Sequence, residues 1–249
     1  MIMKLNEKIN VVITNEINEL GFLKLKKSGF KVFHFPMIKT LKSEINENIN
    51  LSSTNSIIFT SKNGVKYFFN NLGSIKIDLS TKSFICIGKK TAHELENFGF
   101  KADYVCKRNY SDSMSSEIEK TKIINSKNAL LVQGSLSNDG LCKSLNKFSK
   151  TKKIIVYQTK LVDKKYKNLE ELIKNKSPYV IFSSPSSFKS FVNFYNPSLA
   201  KIVSIGKTTT SYIESAGYST VLTSKMQTFE GISDSLIKFL KKTTSYELS

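Results

Sequence analysis

The chain has 249 residues, 40% of them hydrophobic, enough to bury one large core or two of roughly 120 residues each, which excludes wholesale disorder. Its formal net charge is +18, yet 37 of the 38 basic residues are lysines scattered along the chain and Arg108 is the sole arginine. Such a field attracts anions, polycarboxylates included, but lacks the guanidinium forks that read bases and phosphates, so no nucleic-acid partner is expected. The early apolar run Val11-Val12-Ile13 is too short for a secretory core or a membrane span, so the expected location is cytoplasmic with no membrane partner.

In chain order, strands are predicted at residues 9–14, 29–35, 56–60, 83–87, 102–105, 129–132, 153–158, 179–183, 201–205 and 219–222, with helices filling most gaps. Val65, Phe68, Phe69 and Leu72 recur at i, i+3, i+4 and i+7, as do Phe188, Phe191, Val192 and Tyr195 later on, so each of these helices offers one apolar stripe to a sheet. Short apolar strands alternating with amphipathic helices predict an α/β fold of parallel sheets with helices on both faces. The stretch 150–167 breaks the rhythm with a long extended segment and reads as a connector between lobes. A second extended piece runs through Phe35-Pro36, where Pro36 favours a sheet edge or linker.

One cassette occurs twice, about 120 residues apart. Ile57-Ile58-Phe59-Thr60-Ser61 is followed by Ile87-Gly88-Lys89-Lys90-Thr91, and Val180-Ile181-Phe182-Ser183-Ser184 by Ile205-Gly206-Lys207-Thr208-Thr209. In both copies a second glycine, Gly99 or Gly217, closes the next helix 11 residues after the first. A duplicated α/β half-domain accounts for this, and two copies facing each other would form one cleft floored by Ser and Thr. A Gly-x-x-Thr turn ahead of a helix aims free N–H groups and the positive end of the helix dipole at an anion. Lys89, Lys90 and Lys207 add charge, and Thr91 and Thr209 add hydroxyls. Plain helix capping is the alternative for either copy alone.

Other chemistry is thinly represented. Cys86, Cys106 and Cys142 have neither disulfide nor zinc spacing, and Cys86 reads as a core residue. His34 and His93 are unaccompanied, and no phosphate loop, dinucleotide motif, nucleophile elbow or metal-ligand cluster is present, so neither a metal nor a cofactor is expected. Tyr157 lies in the connector strand, where alternation would turn its phenol away from the side of Val156; packing is the ordinary role for such a residue.

Taken in order, Phe59-Thr60-Ser61 with Ile87-Gly88-Lys89-Lys90-Thr91, Val156-Tyr157-Gln158-Thr159, Phe182-Ser183-Ser184-Pro185-Ser186 with Ile205-Gly206-Lys207-Thr208-Thr209, and Gln227-Thr228-Phe229-Glu230-Gly231-Ile232 resemble the uroporphyrinogen-III synthase family over nearly the whole chain. The resemblance implies two flavodoxin-like lobes joined by a two-stranded connector. Residues 1–36 and 162–249 would form one lobe and 40–153 the other, with connectors near 33–40 and 152–162. It implies a cofactor-free enzyme that closes hydroxymethylbilane to uroporphyrinogen III with inversion of ring D and loss of water, with hydroxymethylbilane synthase as a candidate for handing over the substrate; the oligomeric state is open, with monomer as the default.

Carried over on the same resemblance, Tyr157 is the proton donor to the leaving hydroxyl. Thr91, Ser184, Ser186, Lys201, Thr208 and Thr209 match positions that line the site. Backbone N–H groups of Ser61, Lys62, Asn63, Gly64, Lys89, Lys90 and Lys207, at turns opened by Gly88 and Gly206, match carboxylate donors. Three positions depart from the family pattern: Asn15 and Asn63 stand where arginine is usual, and Gln133-Gly134 replaces an Arg-Gly pair, with Lys62 at hand beside Asn63. The reading from another class is a two-lobed binding module that closes on an anion or nucleic acid without chemistry.

Overall fold

The computed structural model describes residues 9–17, 20–45, 51–73, 78–107, 111–125 and 127–246. Arg108 and residues 1–8 of the expected first lobe lie outside them. Two compact units are present: lobe one comprises residues 1–39 with 160–249, and lobe two residues 40–159.

Lobe one holds β1 (Asn10–Ile13), β2 (Lys31–His34), β9 (Tyr179–Phe182), β10 (Lys201–Ser204) and β11 (Leu222–Thr223) in the order β11-β10-β9-β1-β2, every adjacent pair parallel. Counted along the chain this is 2-1-3-4-5, the flavodoxin order. Successive residues face opposite sides. Val11, Ile13, Ile181 and Val203 pack with α1 (Leu23–Lys27) and α9 (Phe229–Tyr246). Val12, Val180, Phe182 and Ile202 pack with α6 (Lys167–Lys176), α7 (Pro185–Val192) and α8 (Lys207–Ser215). The predicted stripe Phe188, Phe191 and Tyr195 is buried here, and Phe188 meets Phe182 edge-on at 5.1 Å. A fully buried aromatic of this kind contributes about 1.5–3 kcal/mol.

Lobe two holds β3 (Ile38–Lys42), β4 (Ser56–Phe59), β5 (Ser83–Ile87), β6 (Tyr104–Cys106), β7 (Asn128–Gly134) and β8 (Lys150–Leu161) in the order β3-β8-β7-β4-β5-β6. Strands β4 to β8 pair in parallel. One face, with Ile57, Phe59, Phe84, Cys86 and Val132, packs on α2 (Lys62–Leu72) and α3 (Lys89–Glu96). The other, with Ile58, Ile85 and Leu131, packs on α4 (Ser111–Thr121) and α5 (Gly140–Leu145). All four residues of β4, like all four of β9, are buried, as befits central parallel strands covered on both sides.

The register makes the duplication literal. Strands β8-β7-β4-β5-β6 match β2-β1-β9-β10-β11 neighbour for neighbour, with the chain entering the two arrays at different strands. Past Pro36, of the two placements expected for this extended piece, a sheet edge or a linker, β3 takes the sheet edge beside β8. One difference from the sequence reading bears on the site. Residues 150–161, read as a connector, form one 12-residue strand whose first eight residues belong to the lobe-two sheet alongside β7.

Candidate active site

Within each sheet the predicted turns all lie at the carboxyl ends of the strands. After β4, Ser61 has extended backbone and caps α2, its Oγ accepting from the Gly64 N–H at 3.0 Å. After β9, Ser184 takes nearly the same conformation and caps α7, its Oγ accepting from the Ser187 N–H at 3.3 Å; Pro185 then fits the first helical position. Lys62 and Asn63 sit half-buried in the first turn of α2, and the Ser186 hydroxyl is 3.0 Å from that of Ser184.

After β5 and β10 come the glycine turns. Gly88 takes φ 80°, a left-handed conformation costly to other residues, and a methyl group there would touch nothing within 4 Å. The corresponding surface of Gly206 is covered, since a methyl group there would lie 2.7 Å from Cγ of Gln227. Lys89, Lys90, Lys207 and Thr208 are exposed. Thr91 and Thr209 are only 4% and 3% exposed, so their hydroxyls lie beneath the turns rather than at their surface. Their N–H groups are bonded to the carbonyls of Gly88 and Gly206, both at 3.1 Å. Lys89, Lys90, Lys207 and Thr208 open the two helices at the positive end of the dipole and are the better-placed anion donors. Below Gly206 the hydroxyls of Ser204, Thr210, Thr223 and Thr220 form a chain, with Thr210 to Thr223 at 2.7 Å. The matching positions in lobe two are Cys86, Ala92 and Val105, which cannot form one.

Lys201 is placed elsewhere. It begins β10, so the strand length puts it roughly 16 Å from the Gly206 turn. Its ammonium lies 4.9 Å from the Tyr179 ring centroid, beside a pocket of about 300 Å³ lined also by Pro197, Ser198 and Tyr218.

Tyr157 is aimed by an irregularity that its own sequence does not announce. β7 and β8 are in register down to Gln133 opposite Ile155, but Gly134 then pairs with Tyr157, leaving Val156 as an extra residue. A bulge of this kind resets the alternation. Tyr157 therefore packs on the same apolar cluster as Ile154 and Val156, not on the opposite side as strict alternation requires. Its ring stacks on Tyr67 of α2 at 5.4 Å and covers Gly134, and its phenol oxygen lies 3.3 Å from Oγ of Ser61.

The departures from the family's arginines also pair up. Following the register, Asn15 after β1 corresponds to Gln133 near the end of β7. Each is 6% exposed, and each has a buried side-chain oxygen without a hydrogen-bond partner. Asn15 Nδ2 donates to the Ile17 carbonyl, and the Asn15 carbonyl is 2.8 Å from Nε2 of His34. Among the described residues no group of three or more His, Cys, Asp or Glu is placed to hold a metal, and no helix is long and apolar enough to cross a membrane.

A family model described as uroporphyrinogen-III synthase HemD matches residues 23–234. The chain belongs to the uroporphyrinogen-III synthase family. The porphyrin biosynthesis protein HemD of Ruminiclostridium josui is 21% identical over 194 residues, 73% of this chain, which spans only 38% of that relative's length. The fold is that of two solved members of the family. Uroporphyrinogen-III synthetase from Helicobacter pylori 26695 has TM-score 0.69 at 19% identity, over 93% of this chain and 99% of that one. A mutant uroporphyrinogen III synthase from the extremely thermophilic bacterium Thermus thermophilus has TM-score 0.63 at 16% identity, over 94% and 99%.

Proposed function

We propose that this chain closes hydroxymethylbilane to uroporphyrinogen III, with inversion of ring D and release of water, as a hydro-lyase that uses no cofactor. Family membership supports the reaction, and the observation that carries the assignment of chemistry is Tyr157, turned by the bulge onto the capped end of α2. The phenol proton passes to the departing hydroxide as the C–O bond breaks, leaving water, a phenolate and an azafulvene cation. The substituted carbon of ring D attacks that cation, and the spiro intermediate fragments and recloses. The proton lost as the last pyrrole regains aromaticity returns to the phenolate. The reference pKa of a phenol, ~10, suits a group that must both give and retake a proton. The helix first turns and lysines suited to acetate and propionate side chains are Ser61 to Asn63 and Lys89 to Lys90 in lobe two, and Ser184, Ser186, Lys207 and Thr208 in lobe one, the Gly64 N–H being taken by Ser61.

Freshly made hydroxymethylbilane incubated with the purified chain, with the product isomers separated, tests this reading. The expected product is the type III isomer, formed faster than closure in buffer. Only the symmetrical isomer, at the buffer rate, would leave a binding module as the better account.

A further inference from the structure

The two serine caps, alike in backbone, differ in what their hydroxyls touch. Ser184 Oγ meets the hydroxyls of Ser186 and Ser187 at 3.0 and 3.4 Å, both within its own turn. Ser61 Oγ faces the Tyr157 phenol at 3.3 Å while accepting the Gly64 N–H at 3.0 Å. That amide belongs to the first turn of an 11-residue helix, whose dipole favours negative charge at this end. The amide takes one of the two lone pairs of Ser61, and the Ser61 O–H is free to turn toward the phenol oxygen once the phenol proton has left.

We propose that Ser61 is a positioning residue for proton transfer: it holds the Tyr157 phenol in place and donates a hydrogen bond to the phenolate left when the proton departs. The role rests on the reading of Tyr157 as proton donor and adds to it a division of labour between the copies, in which lobe two carries the chemistry and the Ser184 cap of lobe one only binds. No proton leaves Ser61. The phenol O–H bond breaks as the new O–H bond of water forms, and the negative charge on the phenolate oxygen is met by a donor backed by the helix. An interaction present only once charge has developed acts on kcat more than on KM.

A double-mutant cycle for type III closure tests it. Ser61→Gly removes the hydroxyl but keeps a good N-cap, and Ser61→Thr keeps the hydroxyl. Alone, Ser61→Gly is expected to lower kcat roughly 10-fold with KM changed less than about threefold, and Ser61→Thr to recover most of the loss. In a Tyr157→Phe background Ser61→Gly should change kcat less than about twofold, because the phenol it serves is gone. Should Ser61→Gly fold poorly, Ser61→Asp, which caps well and has no proton to donate at neutral pH, replaces it in the cycle. Losses that multiply in the double variant, or a Ser61→Gly enzyme with unchanged kcat, would overturn the role of Ser61 and leave Tyr157 standing. An unchanged rate for Tyr157→Phe alone would instead remove the phenol from the mechanism.

Discussion

The ring of Tyr157 lies directly over Gly134, so that a methyl group on Gly134 would sit 2.3 Å from Cζ and 2.6 Å from Cε2. Neither group can keep its place if Gly134 gains a side chain. Gly134→Ala is expected to push the phenol away from Ser61, slow closure to the level of Tyr157→Phe, and cost about 1–3 kcal/mol through overpacking. Rates and denaturant melts of the two variants side by side check this; a Gly134→Ala enzyme with normal rate and melt would show that the ring yields freely.

Tyr157→Phe keeps the stack on Tyr67 and removes only the hydroxyl. Closure to the type III isomer should slow by roughly 10- to 1,000-fold without stopping, since the pyrroles can expel hydroxide unaided. Initial rates at saturating substrate measure it, and an unchanged rate would reduce Tyr157 to a packing residue.

Gln133 carries a buried oxygen that no donor satisfies. Gln133→Met keeps most of the side-chain volume and removes that oxygen, so stability should rise by about 1 kcal/mol. The urea midpoint reads the change. A lower midpoint would show that the carboxamide has a partner in solution.

Burial pushes the Cys86 and Cys106 thiols up to about 12, and burial also raises that of half-buried Cys142. All three remain protonated near pH 8, where thiolates are the reactive form. A thiol reagent should therefore label the native chain slowly, at Cys142 first, and all three cysteines at once in denaturant. Rapid labelling of Cys86 in native protein would contradict the core placement.

Glu170 is held at about 2, below its ordinary 4.5, chiefly by a hydrogen bond from Lys165 and then by one from Lys174, each at 2.8 Å. Because the folded value is the lower one, this stabilisation is present above pH ~4.5 and fades as pH falls toward ~2. The melting temperature of Glu170→Gln should lie slightly below that of the parent at neutral pH, with the gap closing on acidification; the pair is partly solvated, so the gap is small. A gap that widens with acid would mean that the folded carboxyl titrates above 4.5.

Much of the fold could be read from the residues because parallel strands and their helices write their burial into local pattern. The stripe Val65, Phe68 and Leu72 and the apolar runs before Ser61 and Ser184 each report a face without reference to distant chain. What escaped depends on pairing. The extra Val156 becomes a bulge only opposite Gln133 and Gly134, so the direction of Tyr157 could not be taken from strand alternation. Only the register brings the Tyr157 ring onto Gly134. Lys201 matched a motif by residue type, while its position at the start of β10 carries it to the other end of the strand. Thr91 and Thr209 matched as well, yet a residue three places into a helix can turn its side chain toward the sheet, and both do.

The shared strand array, entered at two different points, imposes an order on the birth of the molecule. Strand β1 finds its neighbour β9 only much later in the chain: the Thr14 hydroxyl, which donates to the Ile181 carbonyl, reaches across 167 residues. At ribosomal speed that interval is roughly ten to thirty seconds, during which residues 40–159 emerge as one uninterrupted unit with all its strands to hand. Lobe two can therefore condense while β1, paired only with nearby β2, still lacks β9 along its other edge, so the nascent chain passes through a stage with one apolar strand edge open to chaperones or to pairing with another copy.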